Sequence, residues 1–470
     1  MLMPPSPRTI RPSQACRPAF SITARISSAS ITSQQKKSLF QELQRQLSFR
    51  FDEASQVLKN APHMLLDAIV DSTFKFTDQA LLPSESNFAP VNEICGSIEL
   101  LQIEGEIPKD FPEGVYIRNG SNPLFGALHS TVSVFGKSNE IWVEGEGMLH
   151  AIYFTKSHSD SWSVSYANRY VESKTLKIER DRKKPCFLPA AQGDSAAIIA
   201  AYILNYVTNT HLHMMILGNL TSSESHAMQL RFGKVNKSIS NTNVFEHRAR
   251  LYAITESHQP EEICIQNLET GKTWDIQREW DRPCTSHPKV APGSGELVIF
   301  GSDAKRPFLV VGIVSDDGTK LKHKVDLKLD RPTLCHDIGV TLRSGGSSER
   351  VLPKYGGFAK LCLEERENVT KTSTEDLVKM EIHPLDEDQF CSGTSFVPRV
   401  GGSHEDDGWI ISFVHNEQTN TSQVHIIDTQ EFEGAPVAKI TLPRRVPYGF
   451  HGTFVHSNMT GRMNTEIAKN

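Results

Sequence analysis

Three histidines stand at positions from which their side chains could bind a metal ion. His287 precedes the apolar run ELVIFG, His336 lies between VDLKLD and IGVT, and His451 lies in PYGFHGTFV, where two glycines permit close backbone approach. Neutral imidazoles held rigidly around one point are good metal ligands. Because the chain has 18 histidines, any one of them is more often a hydrogen-bonded structural residue, and spacing alone does not identify a metal site.

The chain from about residue 90 onward predicts the strands that would position these histidines. Short runs rich in β-branched and aromatic residues recur between Gly, Pro, Asn and Asp, and strands at this spacing indicate an all-β sandwich, barrel or propeller. The succession of a strand, a DDG turn and a second strand is typical of propeller blades. The sequence shows no strict repeat that would by itself select that fold. The predicted runs are GSIELLQIEGEIP, GVYIRNG, SVFGKSNEIWVEGEG, HAIYFTK, WSVSYANRYV, ARLYAITES, ELVIFGSD, FLVVGIVSDDG, HKVDLKLD, GWIISFVHNE, SQVHIIDTQ and APVAKITLP.

Residues 38–80 have a different period. SLFQELQRQLSFRF and ASQVLKNAPHMLLDAIVDSTFKF repeat apolar residues at intervals of three and four, which predicts amphipathic helices. Such an apolar stripe is usually core, and it could also lie on a membrane surface.

The first 50 residues have the composition of an organelle transit peptide. No acidic residue occurs before Glu42, whereas Arg, Lys and Ser are frequent, and the apolar core of a secretory signal is lacking. A merely disordered tail is the alternative. We interpret residues 1–50 as a leader and residues 51–470 as one folded domain. The longest apolar run, residues 196–207, is too short to cross a bilayer.

The overall composition is that of a chain with enough apolar residues for a core. Hydrophobic residues make up 38% of the sequence, and the net charge is -5. Lys and Arg are scattered rather than clustered, which argues against a nucleic-acid partner. The eight cysteines are sparse and never at CxxC spacing, so we expect reduced thiols rather than a disulfide framework.

Long segments around the three histidines match one protein family. They are DRPCTSHPKVAPGSGELVIFG, LCHDIGVT and LPRRVPYGFHGTFV, and further segments agree in the same order, among them GVYIRNGSNPLF, GEGMLHAIYF and SNTNVFEHRARLYAITES. They resemble the plant carotenoid cleavage dioxygenases, and the resemblance extends from about residue 65 to residue 455.

This resemblance implies a seven-bladed β-propeller with helices over one face. It also implies an Fe(2+) ion on the propeller axis, held by four histidines of which His287, His336 and His451 would be three. O2 would then split a conjugated double bond of a carotenoid or apocarotenoid into two carbonyl products. Imidazole suits ferrous iron, and open coordination positions admit O2. Import into plastids and peripheral contact with a membrane surface are also expected.

A carboxylate is expected to support one of the ligands. In the family, glutamates orient three of the four histidines, as metal-bound imidazoles generally require. Glu256, in YAITES, matches one of these glutamates, although in isolation it would be read as a surface carboxylate at a strand end. Another family glutamate would fall near Gly393, where no acidic residue stands.

The third family histidine has no counterpart in this chain. After HDIGVT the sequence continues directly as LRSGGSSERVLPKYGG, where the family has a long additional block that contains it. His383, in EIHPLDED, is the only histidine from residues 337 to 403, and we expect it in a polar loop rather than as a replacement ligand. Loss of such a block would remove blades and leave strand edges open.

The segment 207–229 departs from the family in the opposite sense, because it looks inserted. VTNTHLHMMILGNLTSSESHAMQ is polar and has no helical or strand period. Its His211 and His213 could bind metal, but we interpret the segment as a surface loop. An inserted segment together with a missing block suggests an alternative transcript or an incorrect gene model.

Two functions are compatible with these features. The first is an Fe(2+)-dependent dioxygenase that cleaves a carotenoid or apocarotenoid. The second is a catalytically impaired isoform that binds an apolar ligand or a membrane with a degraded iron site. A propeller that serves only as an interaction module is disfavoured, because the histidines lie within the family motifs.

We expect the predominant transcript to differ from this chain at both departures. Full-length transcript sequencing should find codons for an additional block after IGVT and none for residues 207–229, because both features interrupt an otherwise continuous family pattern. A dominant message that encodes both departures would show that the aberrant-transcript hypothesis is wrong.

Overall fold

The computed structural model describes an all-β protein. Every described residue lies in the unit Leu66–Asn470, so the predicted leader falls outside the described part. The structure describes residues 74–75, 87–94, 96–125, 132–133, 136–137, 143–157, 161–183, 185–188, 237–331 without 257, 275, 277, 278, 292, 304 and 305, 355–363, 378–404 and 406–457.

Eight described strands lie before the helix Lys174–Arg182. They are β1 (Phe74–Lys75), β2 (Ile98–Glu99), β3 (Ile103–Gly105), β4 (Gly114–Ser121), β5 (Val132–Ser133), β6 (Gly136–Lys137), β7 (Gly147–Lys156) and β8 (Trp162–Tyr170). Helix α1 (Lys174–Arg182) follows, and the Ser173 side chain caps it by accepting from the N–H of Leu176. In the described ranges no helix is long and apolar enough to cross a membrane.

The remaining strands follow the helix. The first group is β9 (Asn243–His247), β10 (Arg250–Ile254), β11 (Glu261–Ile263), β12 (Thr270–Thr273), β13 (Lys289–Val290), β14 (Leu297–Ser302), β15 (Leu309–Val314) and β16 (Leu321–Asp326). The second is β17 (Gly357–Leu363), β18 (Val378–Pro384), β19 (Gln389–Pro398), β20 (Gly408–Asn416), β21 (Thr421–Asp428), β22 (Ala438–Thr441) and β23 (Gly452–His456).

The strand predictions from the sequence are confirmed. Each predicted run contains at least one observed strand, and the DDG turn, with Gly318 at a φ of 73°, joins β15 to β16 as expected. Among the described residues, Cys186, Cys264, Cys284 and Cys391 are free thiols.

Two local predictions are wrong. Within the predicted helical segment 38–80, Phe74 and Lys75 form strand β1, which pairs with β5; residues 38–73 and 76–80 lie outside the described residues. His383 does not lie in a polar loop but in β18, which pairs along its whole length with β17. The alternation VKMEIH is a strand pattern, and pairing with β17 satisfies its backbone groups.

The strands form antiparallel sheets built mainly from sequence neighbours. Two four-stranded sheets have the orders β12-β11-β10-β9 and β13-β14-β15-β16, while β17 and β18 form a two-stranded sheet and β1, β5 and β6 a three-stranded one. Four-stranded meanders of this kind are the blades of a propeller.

Two five-stranded sheets combine strands from both ends of the described chain. The order β19-β20-β21-β22-β3 places Ala438 opposite Gly105, and the order β2-β8-β7-β4-β23 places Gly452 opposite Arg118. Upstream and downstream strands thereby cover each other's edges. Every residue of β4 is buried, so this strand lies at the centre of the packing.

Apolar clusters fill the space between successive sheets. The first lies between the two five-stranded sheets around the fully buried Trp409, whose ring centre is 5.2 Å from that of Phe111. The second joins β4 and β7 to β10 and β11 through residues such as Ile117 and Leu251. The third joins β10 to β14 and β15. Neighbouring sheets therefore pack face to face, as propeller blades do.

A buried ion cluster ties α1 to the segment that leads into β7. Lys237 Nζ lies 2.6 Å from Glu146 Oε1 and 3.1 Å from Glu179 Oε2, and all three side chains are almost completely buried. Burial by itself lowers the pKa of Lys237, but the two carboxylates outweigh burial and raise that pKa overall. The lysine therefore stays charged and pairs with both carboxylates, while burial raises the pKa of Glu179.

Removal of this cation should destabilise the protein strongly. In Lys237→Met two buried carboxylates lose their partner, and breaking a buried ion pair in this way costs about 3–5 kcal/mol of the free energy of unfolding. Urea denaturation followed by circular dichroism measures the loss. Lys324→Met is the matched control, because Lys324 pairs with Asp281 at the surface and exposed pairs contribute little. Equal losses in the two variants would contradict the role assigned to Lys237.

Candidate functional site

His287 is held by contacts to the main chain just before β13. The N–H of Thr285 donates to the carbonyl oxygen of Phe300 at 2.7 Å, and the N–H of His287 donates to Thr285 Oγ1 at 2.9 Å. Asn243 Nδ2 donates to the carbonyl oxygen of Ser286 at 2.8 Å. His287 itself is 5% exposed. These contacts fix the backbone on the N-terminal side of a buried imidazole.

His451 is positioned by β4 at the start of β23. Its N–H donates to the carbonyl oxygen of Thr242 at 3.2 Å, and its carbonyl oxygen accepts from the N–H of Asn119 at 3.1 Å. The flanking glycines allow this approach, as expected. A Cβ at Gly449 would lie 2.7 Å from the carbonyl oxygen of Asn119, and one at Gly452 would overlap a carbonyl oxygen of β19.

The structure brings these two predicted ligands together. The ring centres of His287 and His451 are 4.5 Å apart, and their planes are perpendicular at 89°. His336, the third predicted ligand, lies outside the described residues, as do His211 and His213. Within the described ranges no three His, Cys, Asp or Glu side chains form a group that could hold a metal.

The spacing of the ring pair fits two ligands of one metal ion. Two imidazoles bound at about 2.1 Å, with their two metal–nitrogen bonds at about 90°, hold their ring centres about 4.6 Å apart whatever the angle between the ring planes. The observed separation of His287 and His451 is 4.5 Å. Imidazole is also a suitable donor for ferrous iron. An edge-to-face ring contact has a similar spacing, so a direct measurement of bound metal is the decisive test.

Glu256 lies beside the segment that carries His287. Its Oε1 accepts a hydrogen bond from Ser286 Oγ at 2.5 Å, a distance typical of a hydroxyl that donates to a carboxylate. Ser286 is completely buried and directly precedes His287. The carboxylate of Glu256, which is partly buried just after the end of β10, therefore contacts the segment that carries His287.

An arginine fills the space where the sequence lacks a second supporting carboxylate. Gly393 has a φ of 74°, and a Cβ there would overlap the side chain of Arg118. The guanidinium donates to Ser392 Oγ at 2.8 Å and to the carbonyl oxygen of Pro447 at 2.6 Å, and it lies 4.8 Å from the ring centre of Phe413. Burial lowers the pKa of Arg118 to about 10, so the guanidinium is still charged at neutral pH. The three partners just named are neutral.

His383 has the surroundings of a structural histidine. It is 4% exposed, and its Nδ1 lies 3.0 Å from the carbonyl oxygen of Phe432. The rings of Phe358 and Phe432 pack against its imidazole. These contacts agree with the expectation that His383 does not replace the missing ligand.

Three residues of the site were missed by reasoning from the sequence. Ser286, Asn119 and Asn243 lie in the segments TSHPK, RNGSNP and SNTNVF, where the sequence analysis assigned them no role of their own. Short polar residues beside Gly or Pro at strand ends were the available signal, because such side chains often bond to the backbone.

Comparison with known proteins identifies the family. The family model described as RPE65, retinal pigment epithelial membrane protein, matches residues 88–344 and 345–456, which is most of the chain. The chain belongs to the RPE65 family of carotenoid oxygenases. The resemblance expected from the motifs around the histidines is therefore confirmed.

Curated relatives in this family are plant enzymes. The chain is 22% identical to the carotenoid 9,10(9',10')-cleavage dioxygenase 1 of Pisum sativum, over 78% of this chain and 89% of the relative. It is 23% identical to the chloroplastic 9-cis-epoxycarotenoid dioxygenase NCED6 of Arabidopsis thaliana, over 82% of this chain and 83% of the relative.

Solved structures of carotenoid oxygenases share the fold. The lignostilbene dioxygenase of Pseudomonas brassicacearum superposes with a TM-score of 0.57 at 16% identity and covers 81% of this chain and 100% of its own. A Synechocystis apocarotenoid oxygenase variant gives a TM-score of 0.56 with the same identity and coverage. The expected β-propeller of the carotenoid oxygenase type is confirmed.

The family match is interrupted at one point. Its two parts meet at residues 344 and 345, shortly after the segment that contains His336. The alignment with the Pisum sativum enzyme has 513 positions although only 78% of the 470-residue chain takes part. The relative therefore has many residues without a counterpart here, which agrees with the missing block noted in the sequence.

Ser286→Ala should weaken metal binding without preventing folding. Glu256 would lose a hydrogen-bond donor that fixes its carboxylate, and loss of such an outer contact reduces metal affinity about 10–100-fold. Calorimetric titration of the metal-free protein with Co2+ measures the affinity. Ser422→Ala is the matched control, because Ser422 is equally buried and its Oγ lies 2.9 Å from Nδ1 of the non-site residue His415. Similar weakening in both variants would contradict the role of Ser286.

Proposed function

We propose that the chain is a non-haem Fe(2+)-dependent dioxygenase that cleaves a conjugated double bond of a carotenoid or apocarotenoid. His287, His336 and His451 would bind the iron, and Glu256 would support the segment that carries His287. The observation that supports this most is the perpendicular ring pair, at 4.5 Å, of two histidines from distant parts of the chain. The names of the plant relatives supply the substrate class.

The proposed reaction needs no reductant besides the substrate. In R–CH=CH–R′ both bonds of the double bond break, and each carbon gains one oxygen atom to form R–CHO and R′–CHO. The alkene carbons lose the four electrons that reduce O2, so atoms and electrons balance. Bound ferrous iron would supply the activation of O2.

The protein's own residues would orient the site and admit its reactants from one side. His287 is buried, whereas His451 is exposed, so we infer that substrate and O2 approach from the side of His451. The backbone contacts of both residues hold the segments that carry the imidazoles in place before substrate arrives, which favours the preorganisation that metal sites require.

We also propose that the protein acts in plastids and contacts a membrane surface peripherally. The basic, serine-rich composition of residues 1–50 supports import, and two relatives from Arabidopsis thaliana carry the word chloroplastic in their names. A lipid-soluble polyene partitions into membranes, so the apolar stripe that the sequence predicts upstream of β1 would help the protein to reach it.

A catalytically impaired isoform is the second candidate. The interruption of the family match at residues 344 and 345 favours it, because the third histidine motif belongs to the block that is lacking. Among the described residues after this interruption, β17 and β18 form a sheet of two strands, whereas propeller blades have four strands. Three imidazoles would hold iron more weakly than four and leave a position open to water.

Metal analysis and product analysis distinguish the two candidates. The purified protein, reconstituted with Fe(2+), should contain about one iron per chain and convert a carotenoid or an apocarotenal to aldehydes. Under isotopically labelled O2 each carbonyl product should carry one labelled oxygen atom. Absence of iron, or iron without product, would rule out the dioxygenase and leave the impaired isoform.

Two histidine variants test whether the iron is bound where proposed. His287→Ala should lower the iron content at least tenfold, on the order expected for removing a direct ligand, and abolish product formation. His383→Ala is the matched control, since His383 is also buried but packs between phenylalanines. Iron loss in His383→Ala alone would contradict the proposed ligand set.

A further inference from the structure

Asn119 is in contact with the backbone on both sides of the candidate site. In β4 its N–H donates to the carbonyl oxygen of His451 at 3.1 Å, and its carbonyl oxygen accepts from the N–H of Phe450 at 3.0 Å. Its side-chain Nδ2 donates to the carbonyl oxygens of Ser240 at 2.8 Å and Asn243 at 3.2 Å. The residue is completely buried, so it joins β23 to the chain entering β9.

Asn243 extends these contacts to the other histidine. Its Nδ2 donates to the carbonyl oxygen of Ser286, next to His287, at 2.8 Å. Its Oδ1 accepts from the N–H of Val244 at 2.8 Å. Since Oδ1 must face that N–H, the amide has one orientation, in which Nδ2 faces the carbonyl oxygen.

We propose that Asn119 and Asn243 form an asparagine relay whose two residues are positioning residues: they set the separation of His287 and His451 and thereby the affinity of the proposed iron site. This inference rests on the proposed function, since it assigns a role to the relay in the same site. The relay reaches the His451 segment through the backbone of Asn119, and the side-chain amides of Asn119 and Asn243 then continue it to the carbonyl oxygen of Ser286 next to His287.

The chemistry of the amide explains why asparagine suits this role. A carboxamide has two N–H donors and one acceptor on a short, flat group, so one side chain can bond to two carbonyl oxygens and an N–H at once. Asn119 uses all three, because its Oδ1 also accepts from the N–H of Gly120 at 2.9 Å. Removing either amide would allow β4, β9 and the Ser286 segment to shift independently by small distances, to which metal coordination is sensitive.

Asn168 provides a matched control. It is 2% exposed, and it also ties separate segments together through backbone groups. Its Oδ1 accepts from the N–H of Ile94 at 2.8 Å, and its Nδ2 donates to the carbonyl oxygen of Asn92 at 3.1 Å. Asn168→Ala therefore removes the same kind of contact without touching either histidine segment.

The experiment compares Co2+ binding in Asn119→Ala, Asn243→Ala and Asn168→Ala. Metal-free protein is titrated with Co2+ while the affinity is measured by calorimetry and the visible ligand-field absorption is recorded. We expect the two relay variants to bind Co2+ about tenfold more weakly or worse, with a changed absorption band. Asn168→Ala should keep the affinity and spectrum of the wild type, although its melting temperature also falls.

A second relay variant guards against loss of folding. Asn243→Asp keeps the volume of the side chain and the acceptor for Val244, and Asn243 is only partly buried, so this variant should fold. It lacks the Nδ2 donor and should therefore weaken Co2+ binding as Asn243→Ala does. Melting curves of all variants, recorded before the titrations, confirm that each is folded.

The outcomes separate the relay from the proposed function. Unchanged affinity and spectrum in the relay variants, with a wild type that binds Co2+, would overturn the relay alone. Equal weakening in Asn168→Ala would also overturn it, since a general loss of stability would then explain the effect. A wild type that binds no Co2+ would remove the proposed metal site and the role of the relay together.

Discussion

The antiparallel pairing of β4 with β23 is the constraint on which the rest of the structure depends. It joins Arg118 to Gly452 across the sheet and places the backbone of His451 against Asn119. Because side chains alternate between the two faces of a strand, a shift of one residue in this register would turn every side chain of β23 to the wrong face. The geometry of the site is therefore a consequence of a long-range strand pairing.

This pairing is present although the family match is broken between residues 344 and 345. The strands that join the two ends, β3 with β22 and β4 with β23, lie on either side of that interruption in the sequence. The apolar clusters between the larger sheets are also complete enough to bury Trp409 and Ile117 fully. The sheet that follows the interruption in the sequence, β17 with β18, has two strands among the described residues.

Charged side chains on the two sides of the site are held by neutral groups of different kinds. Near His287, a hydroxyl from Ser286 holds the Glu256 carboxylate. Around Gly393, where the family resemblance places another glutamate, Arg118 is instead satisfied by neutral oxygens and an aromatic ring. A ferrous ion bound here would have fewer supporting carboxylates than the family pattern provides, which links the change in sequence to metal affinity.

The sequence by itself determined the family, the strand-rich fold and the candidate histidines, because each of these depends on contiguous motifs or on local periodicity. It misjudged Phe74 and His383, since local periodicity takes no account of the partner strand. Only the tertiary structure decided that His287 and His451 are neighbours, and that Ser286, Asn119 and Asn243 lie in or contact the segments that carry them. Those relations depend on contacts between residues far apart in the chain, which exist only once the sheets have packed.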